Sequence, residues 1–311
     1  MKNFLLLPVF VLAARFVSAQ DLHEHGQDRR LSAKGGGEKV QLSLQTGYQQ
    51  ENFHWSIAGN SSGQDPNIYS ELKWRRLSGP VMRLALSWNV WRWLSLYADG
   101  SRLFITGGKV SDTDYQGDNR QHPVYRGQFD SDKGNTASWS LGAGGCIINS
   151  SLFSLSPVLG YGVHDQSMYL VDHSGLYTML NSSYKASWKG PYLKILSTLR
   201  FNARLEASAD LGYHQVVYNA RADWNLINTF SHPVSFRHNA NGYGIDLNAG
   251  LHYRLTHVLS CSLGGGYFNW QTGKGTDQLF LSAGGSDKTQ MNGAFRDGWR
   301  VMAGIKISTH G

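Results

Sequence analysis

From residue 40 onward, apolar and polar residues alternate over stretches longer than an ordinary strand. Val40, Leu42, Leu44 and Thr46 are interleaved with Gln41, Ser43, Gln45 and Gly47. Leu205, Ala207, Ala209, Leu211 and Tyr213 are interleaved with Arg204, Glu206, Ser208, Asp210 and His214. The same period runs from Ile245 to Arg254 and from Trp299 to Ser308. A period of two is that of a strand, whose successive side chains leave opposite faces. Strands of soluble domains usually stop after about five or six residues. One face here carries Arg204, Glu206, Asp210, His252 and Arg254, while the other is almost purely apolar. Long strands of this kind predict a closed transmembrane barrel with lipid outside and a polar lumen. Closure leaves no unpaired edge in the bilayer. The 36 Gly, 15 Tyr and 10 Trp against 7 Pro suit such a sheet, with aromatics at its two interfaces.

Ahead of the alternation, Lys2, an apolar run from Phe4 to Ala14 and Val17-Ser18-Ala19 read as a secretory signal peptide, 1–19. Residues 20–39 are polar and glycine-rich and read as a flexible periplasmic lead-in; His23 and His25 there have no further ligands beside them. The barrel then spans 40–311 as one domain. Short turns near 89–92, 149–151, 201–203 and 255–258 alternate with polar loops near 58–67, 112–136, 172–183, 225–241 and 272–293. Short periplasmic turns and long outer loops are the outer-membrane habit. The hairpins predict an all-β, antiparallel, up-and-down barrel of about ten strands. The net charge of +7 on an exported chain points to anionic lipid rather than nucleic acid. Cys146 and Cys261 fall on strands that are not neighbours, which argues against a bridge. No cofactor or metal is expected.

Candidate chemistry lies at the strand tops. Asp112 and Asp114 leave the third strand and Asp223 leaves the seventh. In a barrel of about ten strands these walls face each other across the mouth. Close carboxylates can hold a proton between them and orient a water. The basic residues Lys73, Arg75, Arg76, Arg83, Lys185 and Lys189 suggest either lipopolysaccharide phosphates or lumen ion pairs with Glu71 or Glu206. Alternation points Lys73, Arg75 and Arg83 inward. Trp55, Trp74, Trp88, Trp91, Trp93, Trp188 and Trp299 read as interface anchors.

Several motifs carry a resemblance. Tyr69-Ser-Glu-Leu-Lys-Trp74, Asp112-x-Asp114, Tyr184-Lys-Ala-Ser-Trp-Lys-Gly-Pro-Tyr192 and Asp223 resemble the omptin family of outer-membrane endopeptidases. Asp223-Trp-Asn225, His232-Pro-Val-Ser-Phe236 and Asn241-Gly-Tyr-Gly244 resemble more closely the omptin-like Protochlamydia-type outer-membrane proteins. The resemblance implies a ten-stranded barrel that cleaves peptides outside the cell. It implies a water held between an Asp–His dyad and an Asp pair, and a need for lipopolysaccharide on the outer face. Asp112, Asp114 and Asp223 match the family's catalytic aspartates. Asn225 stands where the dyad histidine belongs, and an amide does not titrate. His232, His238 or His214 could replace it. The sequence places no counterparts to the acidic residues that give omptins their preference for basic side chains. Three function classes remain, of which two are a cell-surface aspartic-type endopeptidase acting on peptide or protein and a non-catalytic adhesin or structural barrel. A small porin is a third, with a closed lumen expected.

Overall fold

The computed structural model describes residues 38–310. The expected signal peptide and nearly all of the lead-in, with His23 and His25, lie outside the described residues.

Among the described residues, thirteen strands form one antiparallel sheet: β1 (Glu38–Ile57), β2 (Ser70–Trp91), β3 (Leu94–Phe104), β4 (Gly107–Gly117), β5 (Gln121–Asp130), β6 (Gly134–Gly144), β7 (Ile148–Asn149), β8 (Phe153–Val171), β9 (Asn181–Arg200), β10 (Leu205–Asp223), β11 (Phe236–Arg254), β12 (Leu259–Phe280) and β13 (Ser286–His310). The sheet closes because β1 bonds both β2 and β13, while β6 joins β3 to β8. β4 continues the wall of β3 and β5 that of β6, so the strands make the expected ten walls. The two-residue β7 pairs only with the foot of β8.

The short turns are held by their own side chains. Asn202 Oδ1 accepts from the Arg204 and Leu205 amides, and Thr256 Oγ1 from those of Val258 and Leu259. At the other end, most of the residues expected as loops at 112–136 and 272–293 are strand, and 225–241 turns to strand from Phe236. The walls stay paired there, so the ladders continue beyond the bilayer.

The two faces exchange character along the strands. On β10, Leu211 and Tyr213 face outward and exposed, while Glu206, Ser208, Asp210 and His214 face inward. Further up, Asn219 and Arg221 face outward, and Val216, Tyr218, Ala220 and Ala222 are buried inside. β1 switches likewise, from outward Leu42, Leu44 and Tyr48 to inward Phe53 and Trp55. The exchange follows the solvent. Lipid surrounds the lower barrel, and water surrounds the upper one, which therefore needs a core of its own. Exposed Tyr48, Phe104, Trp139, Tyr161, Tyr213, Tyr243 and Trp299 mark the upper interface. Trp88, Trp91, Trp93 and Trp299 are interface anchors as expected, but Trp55, Trp74 and Trp188 are buried in the upper core.

Below that core, polar side chains fill the lumen. Glu51, fully buried, accepts from Gln49 at 3.0 Å, Gln166 at 2.9 Å and Arg296 at 2.9 Å. Arg83 pairs with Asp99 at 2.6 Å and His214 stands 2.9 Å from Asp246. Arg83 thus points inward as alternation predicts. Lys73 and Arg75 do not. Arg76 sits at φ +53°, and the registers with β1 and β4 both shift beside it. One extra residue there turns Glu71, Lys73 and Arg75 to the outer face. Cys146 lies exposed just beyond β6, Cys261 is exposed on β12, and both are free.

Candidate active site

Two further irregularities bring acidic residues into the mouth. On β3 the odd-numbered Leu103 faces inward, so plain alternation would turn Asp112 outward. The chain leaves the ladder at Ile105-Thr106, and β4 then begins at Gly107-Gly108, with Gly108 at φ +154°. A Cβ at Gly108 would lie 2.8 Å from both the Leu77 side chain and the Ser131 carbonyl oxygen, so only glycine fits. Beyond it the even positions Val110 and Asp112 are buried inside. β12 does the same. Trp270 faces inward, the register with β11 shifts opposite Gly273-Lys274, and the odd-numbered Asp277 is then buried.

Asp112, Asp114 and Asp277 line one cavity of about 530 Å3 at the extracellular end. Its walls are otherwise largely apolar, among them Trp55, Leu72, Phe129, Trp224 and Phe236. Asp112 is 8 % exposed, and its Oδ1 has no hydrogen-bond partner among the described residues. Burial, reinforced by the neighbouring Asp114, pushes its carboxyl up to about 8. Asp114 is raised by burial against a hydrogen bond from Ser70. Tyr125, on the same cavity, is pushed to about 12, first by burial and then by Asp112.

Asp277 is backed by a buried chain of polar groups. Its Oδ1 stands 3.0 Å from His238 Nε2, although the N–H does not point along that line. His238 Nδ1 is 2.8 Å from the Tyr184 hydroxyl, itself 2.6 Å from that of Tyr218. Burial raises both phenols, which stay protonated at neutral pH. His238 is 1 % exposed beneath Trp55, with ring centroids 4.7 Å apart. It braces Asp277 without lining the cavity. Thr289 Oγ1 donates to the other oxygen of Asp277 at 3.1 Å.

Asp223 ends up elsewhere. β10 runs from Leu205 to Asp223 with continuous register to both neighbours, so the odd position Asp223 stays on the outward face with Arg221. It pairs with His232 at 2.6 Å, and neither lines the cavity. The three predicted aspartates are therefore not brought together: Asp112 and Asp114 share the cavity, and Asp223 does not. His214 lies lower, beside Asp246 and Trp270.

Asn225 has a structural task. Its Oδ1 accepts from the Asn181 amide and the Ser182 hydroxyl, each at 3.0 Å, and its Nδ2 donates to Met179 O at 2.8 Å. The amide thus ties the top of β10 to the start of β9. Imidazole offers two ring nitrogens and cannot reproduce these three bonds. Asn225→His is expected to loosen residues 179–182, seen as faster amide hydrogen exchange there, and to leave peptide cleavage no higher than in the parent.

The sequence profile of the Protochlamydia outer membrane protein family matches residues 43–308. The chain belongs to the Protochlamydia outer membrane protein family. Among solved structures, this family member is similar to the outer membrane protease OmpT from Escherichia coli, at 14 % identity and a TM-score of 0.69. That alignment covers 87 % of this chain and 97 % of OmpT. The translocator domain of the autotransporter NalP from Neisseria meningitidis aligns at 11 % identity over 87 % of this chain and 88 % of that one, with a TM-score of only 0.38. No curated protein matches in sequence. These findings establish an outer-membrane β-barrel of OmpT-like fold. Asp277 was missed in the sequence because it sits in a segment expected as loop. The one legible signal was Gly273-Lys274-Gly275, which interrupts the alternation.

Proposed function

We propose that this Protochlamydia outer membrane protein family member is a cell-surface endopeptidase of the aspartic type, with Asp277 taking the place of Asp223 opposite the Asp112–Asp114 pair. The observation that carries this is a set of three carboxyls on one largely apolar cavity, one of them raised to about 8. Such a group is protonated at neutral pH and can donate to the carbonyl oxygen of a scissile peptide bond. Asp277, braced by His238, takes the proton of a water that attacks the carbonyl carbon. The C–N bond then breaks, and the amine leaves with a proton returned from a carboxyl. Asp223 and His232 anchor the outer rim in this reading.

Its test is the pH dependence of kcat/KM on a peptide library in outer-membrane vesicles. Asp112 must keep its proton, so activity is expected to fall above about pH 8, tenfold per unit. Asp114→Asn removes a negative neighbour and should move that limb to lower pH. Cleavage rising through pH 9 would count against the assignment.

Lipopolysaccharide is proposed as the lipid partner. Arg75, Arg76, Lys109 and Arg126 line an open outer cleft of about 710 Å3, above the level of Tyr48 and Phe104. Arginines suit phosphate because they donate in pairs. Arg75→Gln with Arg76→Gln is expected to weaken retention on immobilised lipopolysaccharide several-fold, and more so at low salt.

One observation favours the non-catalytic alternative: the residue at the dyad position is committed to holding loop to strand. An adhesin would need that rigid rim and no base.

A further inference from the structure

We infer that the cavity selects a peptide by one large apolar side chain, aromatic or leucine-like, and discriminates against a basic one. This names a substrate class for the proposed peptidase and rests on that reading for the cleavage step only.

The cavity volume of about 530 Å3 falls within the usual range for ligand pockets, about 300–1,000 Å3. No Lys or Arg lines it, and its deep surface is formed by side chains such as Leu72, Phe129, Phe230 and Leu279. The rim continues this character. Leu226 lines the cavity and is 41 % exposed, and Leu176 and Met179, in the 172–180 loop that also supplies Tyr177 and Leu180, are 81 % and 74 % exposed. Large apolar groups left exposed on the segments that line a cavity mark a binding site rather than a solvated surface.

The carboxyls do not make this a cation cage. Asp277 accepts from Thr289 and stands 3.0 Å from His238 Nε2, and burial raises Asp114. Asp112 is the acidic group left unpaired, and burial holds it neutral at pH 7. A guanidinium or ammonium entering here would lose its water among hydrocarbon walls.

A plain hydrocarbon chain fits less well than a peptide. Tyr69, Tyr125 and Tyr177, exposed residues that each carry a hydroxyl, line the cavity beside the three carboxyls. A peptide brings carbonyl and amide groups that can meet such atoms, and an alkyl chain leaves them unmet.

The test uses the full-length barrel in vesicles. Five fluorescent, end-blocked hexapeptides differ only at one central residue: Phe, Leu, Ala, Arg or Asp. Binding is read by anisotropy on Asp112→Asn, which removes cleavage without removing the apolar walls, and cleavage is read on the unmodified protein. The Phe and Leu peptides are expected to bind at least tenfold tighter than the Ala, Arg and Asp peptides. Leu226→Asp, at an exposed rim position, should narrow the Phe-to-Arg ratio at least several-fold. That preference without cleavage supports the pocket and sinks the peptidase reading. Equal binding of all five, tighter binding of Arg, no binding of any, or binding of laurate with no peptide bound would each overturn the pocket assignment.

Discussion

Asp112→Asn is expected to lower peptide cleavage by about 10²–10⁴-fold while making the barrel harder to unfold at alkaline pH. The two effects have one origin. The fold holds a proton on Asp112 up to about pH 8, whereas an unfolded chain releases it near pH 4. The native state is therefore favoured by this group at low pH. It loses that advantage progressively as pH rises from about 4 to 8. Asparagine keeps the shape and carries no proton to lose. The interval bounds the gain at about 5 kcal/mol at pH 9, and relaxation around the carboxylate makes the measured value smaller. Urea unfolding followed by tryptophan fluorescence, at pH 4 and pH 9, checks it. The variant and parent should nearly coincide at pH 4 and separate at pH 9, the variant being the more stable. A variant less stable than the parent at pH 9 would show that Asp112 is a structural ion and not a buried acid.

Arg296→Met is the second large effect. Arg296 and Glu51 are 6 % and 0 % exposed and join at 2.9 Å. Methionine fills much of the space but leaves Glu51 with only the two glutamines Gln49 and Gln166. Breaking one side of a buried pair typically costs about 3–5 kcal/mol. That layer lies between the polar lumen and the upper core, so its loss should also loosen the cavity above. Adding Glu51→Gln to Arg296→Met removes the stranded charge and should recover most of the loss. Urea midpoints of parent, single and double variants give the comparison. A single variant within about 1 kcal/mol of the parent would mean that the layer is wet and the charge solvated.

How far the sequence can be read follows from the same geometry. Alternation through Val40–Gly47, Leu205–His214 and Trp299–Ser308 is the direct imprint of lipid on one side and a lumen on the other, and the barrel follows from it, while strand number and outer-membrane setting follow from the short turns and long loops. The upper third was harder. There water replaces lipid, the apolar residues move inside, and strand reads as polar loop, so Trp55 and Trp188 looked like interface anchors. The site was hardest because each of its acids lies past a break in the period. Single-residue insertions at Arg76, Gly108 and Gly273–Lys274 each swap inward for outward, and periodicity counted from below loses phase at each. Asp112 and Asp114 are legible from their place at a strand top and from the Asp-x-Asp motif. Asp223 is expected at the mouth because it leaves the seventh strand, and the lack of a break in that strand turns it away from the cavity. Asp277 had neither a motif nor an unbroken phase to mark it.

The central claim is that the opposing carboxylate is Asp277 and not Asp223. Mass spectrometry of a peptide library incubated with cells displaying the parent, Asp277→Asn or Asp223→Asn tests it most directly. The account predicts cleavage by the parent, a loss of about a hundredfold or more in Asp277→Asn, and rates within about threefold of the parent in Asp223→Asn, whose side chain lies outside the cavity. An inert parent, or cleavage that survives in Asp277→Asn and vanishes in Asp223→Asn, would contradict it.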